Sequence, residues 1–219
     1  MVHKKLTHSA ARPRGRPRAY DADAALAQAM GAFWQFGYSA TSLDQLSDAT
    51  DMNRPSMYAA FGDKRALYLK TLESYTERSK ETIAKALDPQ LSLAEGLQRF
   101  YDYALASYLP SGDPARGCYL IGTAVTEALA DEEVRTRLAH ALREFERMVA
   151  ARIQQAHDDG EIDAAADPQA LAMIALAVLY AMAIRSRAGE SRAVLRSVAA
   201  TAIDLICGRA PARKRRRAQ

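Results

Sequence analysis

The chain has 219 residues, of which 49% are hydrophobic, and a formal net charge of +4 at pH 7. This length and hydrophobic content are sufficient for one or two domains with a sizeable buried core. Two cysteines are too few for a disulfide-scaffolded protein. A membrane protein is disfavoured because no uninterrupted apolar run of about 18 residues occurs, and a secreted protein because no apolar segment follows the basic N-terminus as in a signal peptide. We therefore expect a cytoplasmic protein.

Charge is divided sharply along the sequence. Residues 1–20 carry six basic and no acidic side chains, residues 209–219 carry six more basic ones, and the intervening residues have a net charge of −8. We predict a disordered basic arm at 1–18 and a disordered basic tail at 209–219. Basic segments attached to an acidic body favour a polyanionic partner. For the tail, the favoured interpretation is a solvated segment without a binding role.

The first folded elements are predicted to be short helices with recognisable caps. A helix from Asp21 to Phe36 has apolar residues at the helical period and ends at Gly37. Thr41 is in position to cap a second helix, and Asp44 has the spacing of a capping box. The turn at 50–52 then interrupts the helical pattern.

A third helix is predicted from the cap at Asn53 to Gly62, and a fourth extends from Asp63 to about residue 86. Pro55 falls in the first turn of the third helix, where its missing N–H costs little. Two short helices joined by a tight turn, with a basic arm just upstream, are typical of a helix-turn-helix that binds DNA.

The segment from about Arg16 to Tyr75 resembles the DNA-binding domain of the tetracycline-repressor (TetR) family. The matching pieces are GRPRAYD at 15–21, AFWQFGYSATSLDQLS at 32–47 and NRPSMYAAFGDKRALY at 53–68. The rest of the chain resembles the helical regulatory domain of that family more loosely. One departure lies in the turn, where the family commonly has glycine and this chain has Asp51. Aspartate tolerates positive φ better than most residues, so we expect the turn to form.

Outward-facing side chains of the third helix supply groups that contact base edges and phosphates. The resemblance implies that Tyr58, Thr41 and Lys64 bind phosphates and that Arg54 and Ser56 approach bases. Basic arms of this kind reach into the adjacent minor groove. The complete predicted DNA-binding set is Arg16, Arg18, Thr41, Ser42, Arg54, Pro55, Ser56, Tyr58 and Lys64.

The predicted fold is all-α, with a helix-turn-helix domain at 19–80 and a helical effector-binding and dimerisation domain at 81–208. Helices are predicted at 92–108, 118–130, from Asp131 to beyond Ile153, at 168–187 and at 190–207, with loops at 110–117 and 160–167. The last two helices are rich in alanine and apolar on several faces, so they need more partner surface than a single subunit offers. The resemblance implies a homodimer through about 168–207; the alternative is a buried helical hairpin.

The resemblance also implies a cavity for a small-molecule effector between the helices of the second domain. The predicted lining is Phe100, Tyr103, Tyr108, Cys118, Tyr119, Thr123, Met148, Met173 and Tyr180. Each residue could instead be ordinary core. Cys118 carries a further hypothesis, because a thiol at a helix N-terminus is made more acidic by the helix dipole and could sense electrophiles or oxidants. The alternative is a small buried hydrophobe.

Enzyme and metal motifs are lacking from the sequence, and no cofactor is predicted. Among the four histidines, His140 and His157 are expected to be solvated on a polar helix. We interpret the chain as a homodimeric, ligand-responsive regulator of transcription, expected to be a repressor that binds a palindromic operator in double-stranded DNA. The alternatives are an architectural DNA-binding protein without an effector and an enzyme on a helical fold.

Overall fold

The computed structural model describes residues 21–112 and 114–209. The predicted basic arm, including Arg16 and Arg18, and the tail beyond residue 209 lie outside the described residues. The described chain is all-α, as predicted, and contains no strand. Its helices are α1 (Ala22–Phe36), α2 (Leu43–Thr50), α3 (Arg54–Phe61), α4 (Lys64–Ala86), α5 (Leu93–Tyr108), α6 (Val125–Glu127), α7 (Glu132–Asp158), α8 (Pro168–Arg187) and α9 (Arg192–Ile206).

Local caps account for most of these boundaries. The carboxylate of Asp21 accepts the first backbone N–H groups of α1, and Asn53 caps α3 through the Ser56 N–H. The prediction of the α2 capping box was wrong by one residue. The box joins Ser42 and Gln45, not Thr41 and Asp44. The Ser42 hydroxyl is the one that faces the free N–H groups, because the Thr41 hydroxyl points back to the Gly37 carbonyl.

Asp51 closes α2 in the left-handed conformation, with φ 50° and ψ 32°. It is the one non-glycine residue with positive φ in the described part of the chain. Its N–H caps the Ser47 carbonyl. The turn of the helix-turn-helix therefore forms without glycine, as the sequence predicts.

The predicted helix at 118–130 is not continuous. Leu120–Ala124 is π-helical and leads into the three-residue α6, and Leu129 is 88% exposed. The guanidinium of Arg187 on α8 donates to the Gly122 carbonyl at 3.3 Å. This contact ties the π-helical turn to α8, and such turns often occur at functional sites.

Helix α4 connects the two parts of the fold. It packs with α1 and α3 on one hand and with α5 and α7 on the other. Because α4 is continuous across residue 80, the two predicted domains share this helix. Helices α5, α7, α8 and α9 form the rest of the second domain, where α7 packs on α8 and α5 packs on α9.

The last two helices bury one side each and expose the other. Ala172, Leu176 and Met182 of α8 are buried, whereas Ile174 and Ile184 are 48% and 58% exposed. By length and composition α8 alone, within the described residues, could cross a membrane. Its buried side is nevertheless part of the protein core that it shares with α7 and α9.

Candidate functional site

The exposed face of α3 presents all the side chains that the sequence assigns to DNA on this helix. Arg54, Pro55 and Ser56 are exposed, and Tyr58 is 43% exposed. The opposite face is fixed in the core, where Met57 is 2% exposed and packs in the same cluster as Leu46 and Phe61. The helix is therefore held from behind while its polar side faces outward.

Arg54 is oriented by a neighbouring carboxylate. Its Nη2 lies 2.6 Å from Oδ1 of Asp44 on α2, and both side chains are at least half exposed. Exposed pairs of this kind contribute about 0–1 kcal/mol to stability. The pair therefore orients the guanidinium at little energetic cost, and leaves it accessible to a stronger anionic or base-edge partner.

Thr41 and Lys64 occupy different environments beside α3. The Lys64 ammonium lies 4.6 Å from the centre of the Tyr38 ring and 3.5 Å from the Ser39 carbonyl, and burial lowers the pKa of this lysine. Thr41 is only 1% exposed and its hydroxyl donates to Gly37. The structure thus contradicts a surface position for Thr41, whereas the neighbouring Ser42 is exposed.

Ion pairs join the helix-turn-helix to the second domain. Arg65, at the start of α4, contacts both carboxylate oxygens of Asp131 at 2.5 and 2.9 Å and Glu133 at 3.2 Å. The hydrogen bonds from Arg65 lower the pKa of Asp131 to about 2. The Ser39 hydroxyl donates to Glu127 at 2.8 Å. The junction is therefore polar at its surface.

Behind these ion pairs, the junction continues as buried hydrogen bonds. The Tyr68 hydroxyl donates to Thr123 at 2.9 Å, and the hydroxyls of Thr71 and Tyr119 lie 2.7 Å apart. The Trp34 Nε1 donates to the carbonyls of Arg116 and Gly117 at 3.1 and 3.2 Å. The loop before the π-helical turn is thus bonded directly to α1.

Gly117 allows this loop to pack closely on α8. Its φ is +63°, and a Cβ at this position would lie 2.6 Å from the Ala183 carbonyl. Any larger residue would therefore be strained and would also displace the loop from α8. The position of the Trp34 indole depends on this close approach.

A cavity of about 250 Å³ lies between α1, α4, α5, α7 and α8. Met30 and Trp34 of α1 and Cys118 are buried lining residues, whereas Arg78 and Tyr103 are exposed and mark its open side. The lining is dominated by aromatic and aliphatic side chains. The remaining lining residues are Tyr75, Ser79, Thr82, Ile83, Ala86, Phe100, Ala104, Ser107, Tyr108, Leu120, Ile121, Leu142, Phe145, Leu179 and Tyr180.

Five of the nine predicted lining residues face this cavity: Phe100, Tyr103, Tyr108, Cys118 and Tyr180. The other four do not. Tyr119 and Thr123 are buried in the junction, where their hydroxyls are occupied by the hydrogen bonds described above. Met148 lines a separate cleft beside Arg152, and Met173 is 53% exposed on α8.

The sequence interpretation missed Trp34 and the α4 residues of the lining. Tyr75, Ser79, Thr82 and Ala86 recur at helical spacing along one side of α4. That spacing was a detectable signal, but the sequence does not show that α4 extends beneath the second domain. The contribution of α1 to the cavity depends entirely on tertiary packing.

Cys118 is a buried thiol, as its interpretation as a small buried hydrophobe predicts, and not the acidified thiol of the sensor hypothesis. It is 5% exposed, its Sγ lies 3.4 Å from the Tyr75 hydroxyl, and burial raises its pKa. Desolvation outweighs the backbone N–H groups of Leu120 and Ile121, which act in the opposite direction. The thiolate, the reactive form, is therefore disfavoured at neutral pH.

We expect a thiol reagent to label Cys118 slowly in the native protein and rapidly after unfolding. Cys207 is half-buried and should be labelled first, which makes it an internal reference for accessibility. Mass spectrometry after a time course with a charged, bulky maleimide would assign each site. Labelling of Cys118 as fast as of an unfolded control would contradict the buried, protonated thiol.

Two family models match the sequence. Residues 25–71 match the model for bacterial regulatory proteins of the tetR family, and residues 94–202 match the tetracyclin repressor-like C-terminal domain. The chain is 32% identical over 201 residues to the HTH-type transcriptional repressor ComR of Escherichia coli (strain K12). The aligned region spans 91% of this chain and 95% of ComR. It is also 32% identical to the transcriptional regulator AcuR of Cereibacter sphaeroides, over 74% of each chain.

A solved structure shows the same fold bound to DNA. It is a cysteine mutant of the TetR family transcriptional regulator CifR complexed with 26-bp double-strand operator DNA, 32% identical to this chain. The TM-score is 0.77, and the match covers 86% of this chain and 98% of CifR. The helix-turn-helix, the second helical domain and these relatives agree, and the chain belongs to the TetR family of bacterial transcriptional regulators.

Proposed function

We propose that this chain is a homodimeric transcriptional repressor that binds a palindromic operator and is released from it by a small molecule. Regulators of the TetR family act as dimers that bind operator DNA and small-molecule effectors. Each subunit would place α3 in a major groove, and the two-fold symmetry of the dimer would be matched by two half-sites.

The outward face of α3 supports the DNA contacts. Arg54 and Ser56 lie at its N-terminal end, where side chains of a recognition helix approach base edges. Tyr58, one turn further along α3, and Lys64, at the start of α4, are assigned to phosphates. The basic arm with Arg16 and Arg18 precedes α1 and would follow the adjacent minor groove.

The exposed sides of α8 and α9 support the dimer. Exposed or half-exposed small and apolar residues recur every three or four positions along each helix. A monomer rarely exposes such a continuous apolar surface, and covering it would bury the stripe in a four-helix interface. The residues of this dimer face are Ile174, Ala177, Ala181 and Ile184 on α8 and Val194, Val198, Thr201 and Leu205 on α9.

The proposed effector response is supported by two helices, α1 and α4, that belong to both the cavity and the DNA-binding domain. Trp34 of α1 and the α4 side chains from Tyr75 to Ala86 line the cavity, and the same two helices support α2 and α3. A ligand that fits better when α4 is displaced would favour a dimer whose α3 helices no longer match the half-site spacing.

Two further properties belong to this proposal. We place the protein in the cytoplasm, where its DNA target is accessible, and assign it no catalytic activity. No group of histidine, cysteine and acidic side chains suited to a metal ion occurs among residues 21–112 and 114–209. The His140 side chain is 62% exposed, as expected, whereas that of His157 is 26% exposed and lies 3.1 Å from the Ala164 carbonyl.

Binding to DNA fragments from upstream of the chain's own gene and its neighbours tests the proposal. Fluorescence anisotropy should find one fragment bound at least about 1,000-fold more tightly than a scrambled fragment of equal length. Footprinting should show two protected half-sites. Equal affinity for all fragments, with a steep salt dependence, would support the architectural alternative instead.

A further inference from the structure

The charge in the cavity lining is positive. Arg78 is the single charged residue in the lining, and no aspartate or glutamate faces the cavity among the described residues. The body of the protein is acidic overall, so this local sign is opposite to that of its surroundings. A cationic ligand would meet no counter-charge here, whereas an anionic group would meet a guanidinium.

Arg78 is available for such a group. It is exposed on α4 at the open side of the cavity and makes no ion pair with any residue in 21–112 or 114–209. Three other arginines near α4 and α7 are already engaged: Arg65 with Asp131, Arg137 with Glu73 and Glu133, and Arg152 with Glu161. A guanidinium binds carboxylates through paired N–H donors in a planar fork.

The remaining lining fits a flat apolar body. Trp34, Phe100, Tyr108 and Phe145 contribute ring surfaces to the cavity. The Trp34 N–H is already donated to two carbonyls and the Arg116 guanidinium lies 4.4 Å from the ring centre, so the indole offers the ligand only the remaining surface of its ring. Aromatic side chains bind other rings in offset or edge-to-face arrangements.

Tyr180 adds one hydrogen-bond donor. Its hydroxyl forms no hydrogen bond with the described residues, and burial raises its pKa, so the phenol stays protonated at neutral pH. The cavity volume of about 250 Å³ is below the range of roughly 300–1,000 Å³ that holds drug-sized molecules. The ligand must therefore be small.

We infer that the cavity binds a small aromatic carboxylate, with its ring against Trp34 and its carboxylate on Arg78. This inference rests on the proposed effector cavity and names the chemical class that the cavity selects. The Tyr180 hydroxyl would donate to the second carboxylate oxygen or to a polar ring substituent.

Three probes of nearly equal shape test the sign of the charge: benzoate, benzamide and benzylammonium. Trp34 is the only tryptophan of the chain, so its indole N–H gives one resolved NMR signal from the cavity lining. Titration of the full-length protein should shift this signal with benzoate at roughly tenfold lower concentration than with benzamide, the effect of about one charge-assisted hydrogen bond. Benzylammonium should bind least.

Arg78→Gln should remove the preference for benzoate and leave the benzamide titration unchanged. Arg143→Gln is the matched control, because Arg143 is an exposed arginine of α7 that does not line the cavity. Ala104→Phe, which places a ring in the cavity, should weaken all three probes, while its far-UV circular dichroism spectrum and thermal melt show that the variant is folded.

The outcomes separate the ligand class from the proposed function. Equal or tighter binding of benzamide or benzylammonium would overturn the carboxylate assignment and leave the cavity as a ligand site. A Trp34 signal that responds to none of the probes at millimolar concentration would overturn the ligand class. Operator binding, measured separately, would still establish the DNA-binding part of the proposal.

Discussion

Ala177→Arg is expected to convert the dimer into a monomer and to weaken operator binding by at least about 100-fold. Ala177 is exposed in the protomer and lies in the middle of the dimer face on α8. Two-fold symmetry introduces two arginines into one interface, and each unpaired buried charge costs several kcal/mol. A monomer reaches one half-site at a time and loses the gain from simultaneous binding.

Sedimentation velocity at micromolar concentration would show the change in mass, and anisotropy would show the loss of operator affinity. Ala200→Arg is the matched control: Ala200 is also exposed, but it faces the groove between α9 and α5. Ala199, although part of the same alanine-rich stretch, is fully buried in the protomer. An arginine there would disrupt folding, so it cannot test the dimer. A wild-type protein that sediments as a monomer would contradict the model.

Arg54→Ala is expected to reduce operator affinity by about 1–3 kcal/mol, roughly 5- to 150-fold, and to relax specificity at one base pair of each half-site. The reason is the loss of a guanidinium that reaches base edges from the start of α3. Thermal stability should change little, because the exposed pair between Arg54 and Asp44 contributes about 0–1 kcal/mol. Competition against operators substituted at single positions measures both effects.

Lys64→Ala provides the contrast within the same surface. A phosphate contact carries no sequence information, so its loss should weaken all DNA about equally and lower the salt slope by about one. Arg143→Ala, on the far helix α7, should leave both quantities unchanged. If Arg54→Ala and Lys64→Ala both bind the operator like wild type, the assignment of this surface is wrong.

The helix-turn-helix was largely predictable because its determinants are local. Caps at Asp21, Asn53 and Asp63 and the end of α3 at Gly62 act within four residues of sequence. The error at α2 arose where two hydroxyl residues, Thr41 and Ser42, are adjacent. Only the fold decides which of them faces the free N–H groups.

The cavity was less predictable because its lining is assembled from distant segments. Aromatic residues of α5 were identified correctly as lining, but periodicity alone does not distinguish a tyrosine that faces a cavity from one that is bonded in the core. Tyr108 lines the cavity, whereas Tyr119 is held by Thr71. The low reactivity of Cys118 likewise follows from burial, which sequence position does not report.

We propose that the cavity and the DNA-binding surface form one coupled unit through α1 and α4. The indole N–H signal of Trp34 reports on this coupling directly and requires no identified effector. We expect the operator, added at a stoichiometric ratio to the protein, to shift this signal. A scrambled fragment that is bound to the same extent at low salt should shift the signal less. Tight and specific operator binding that leaves the Trp34 signal unchanged would contradict the claim.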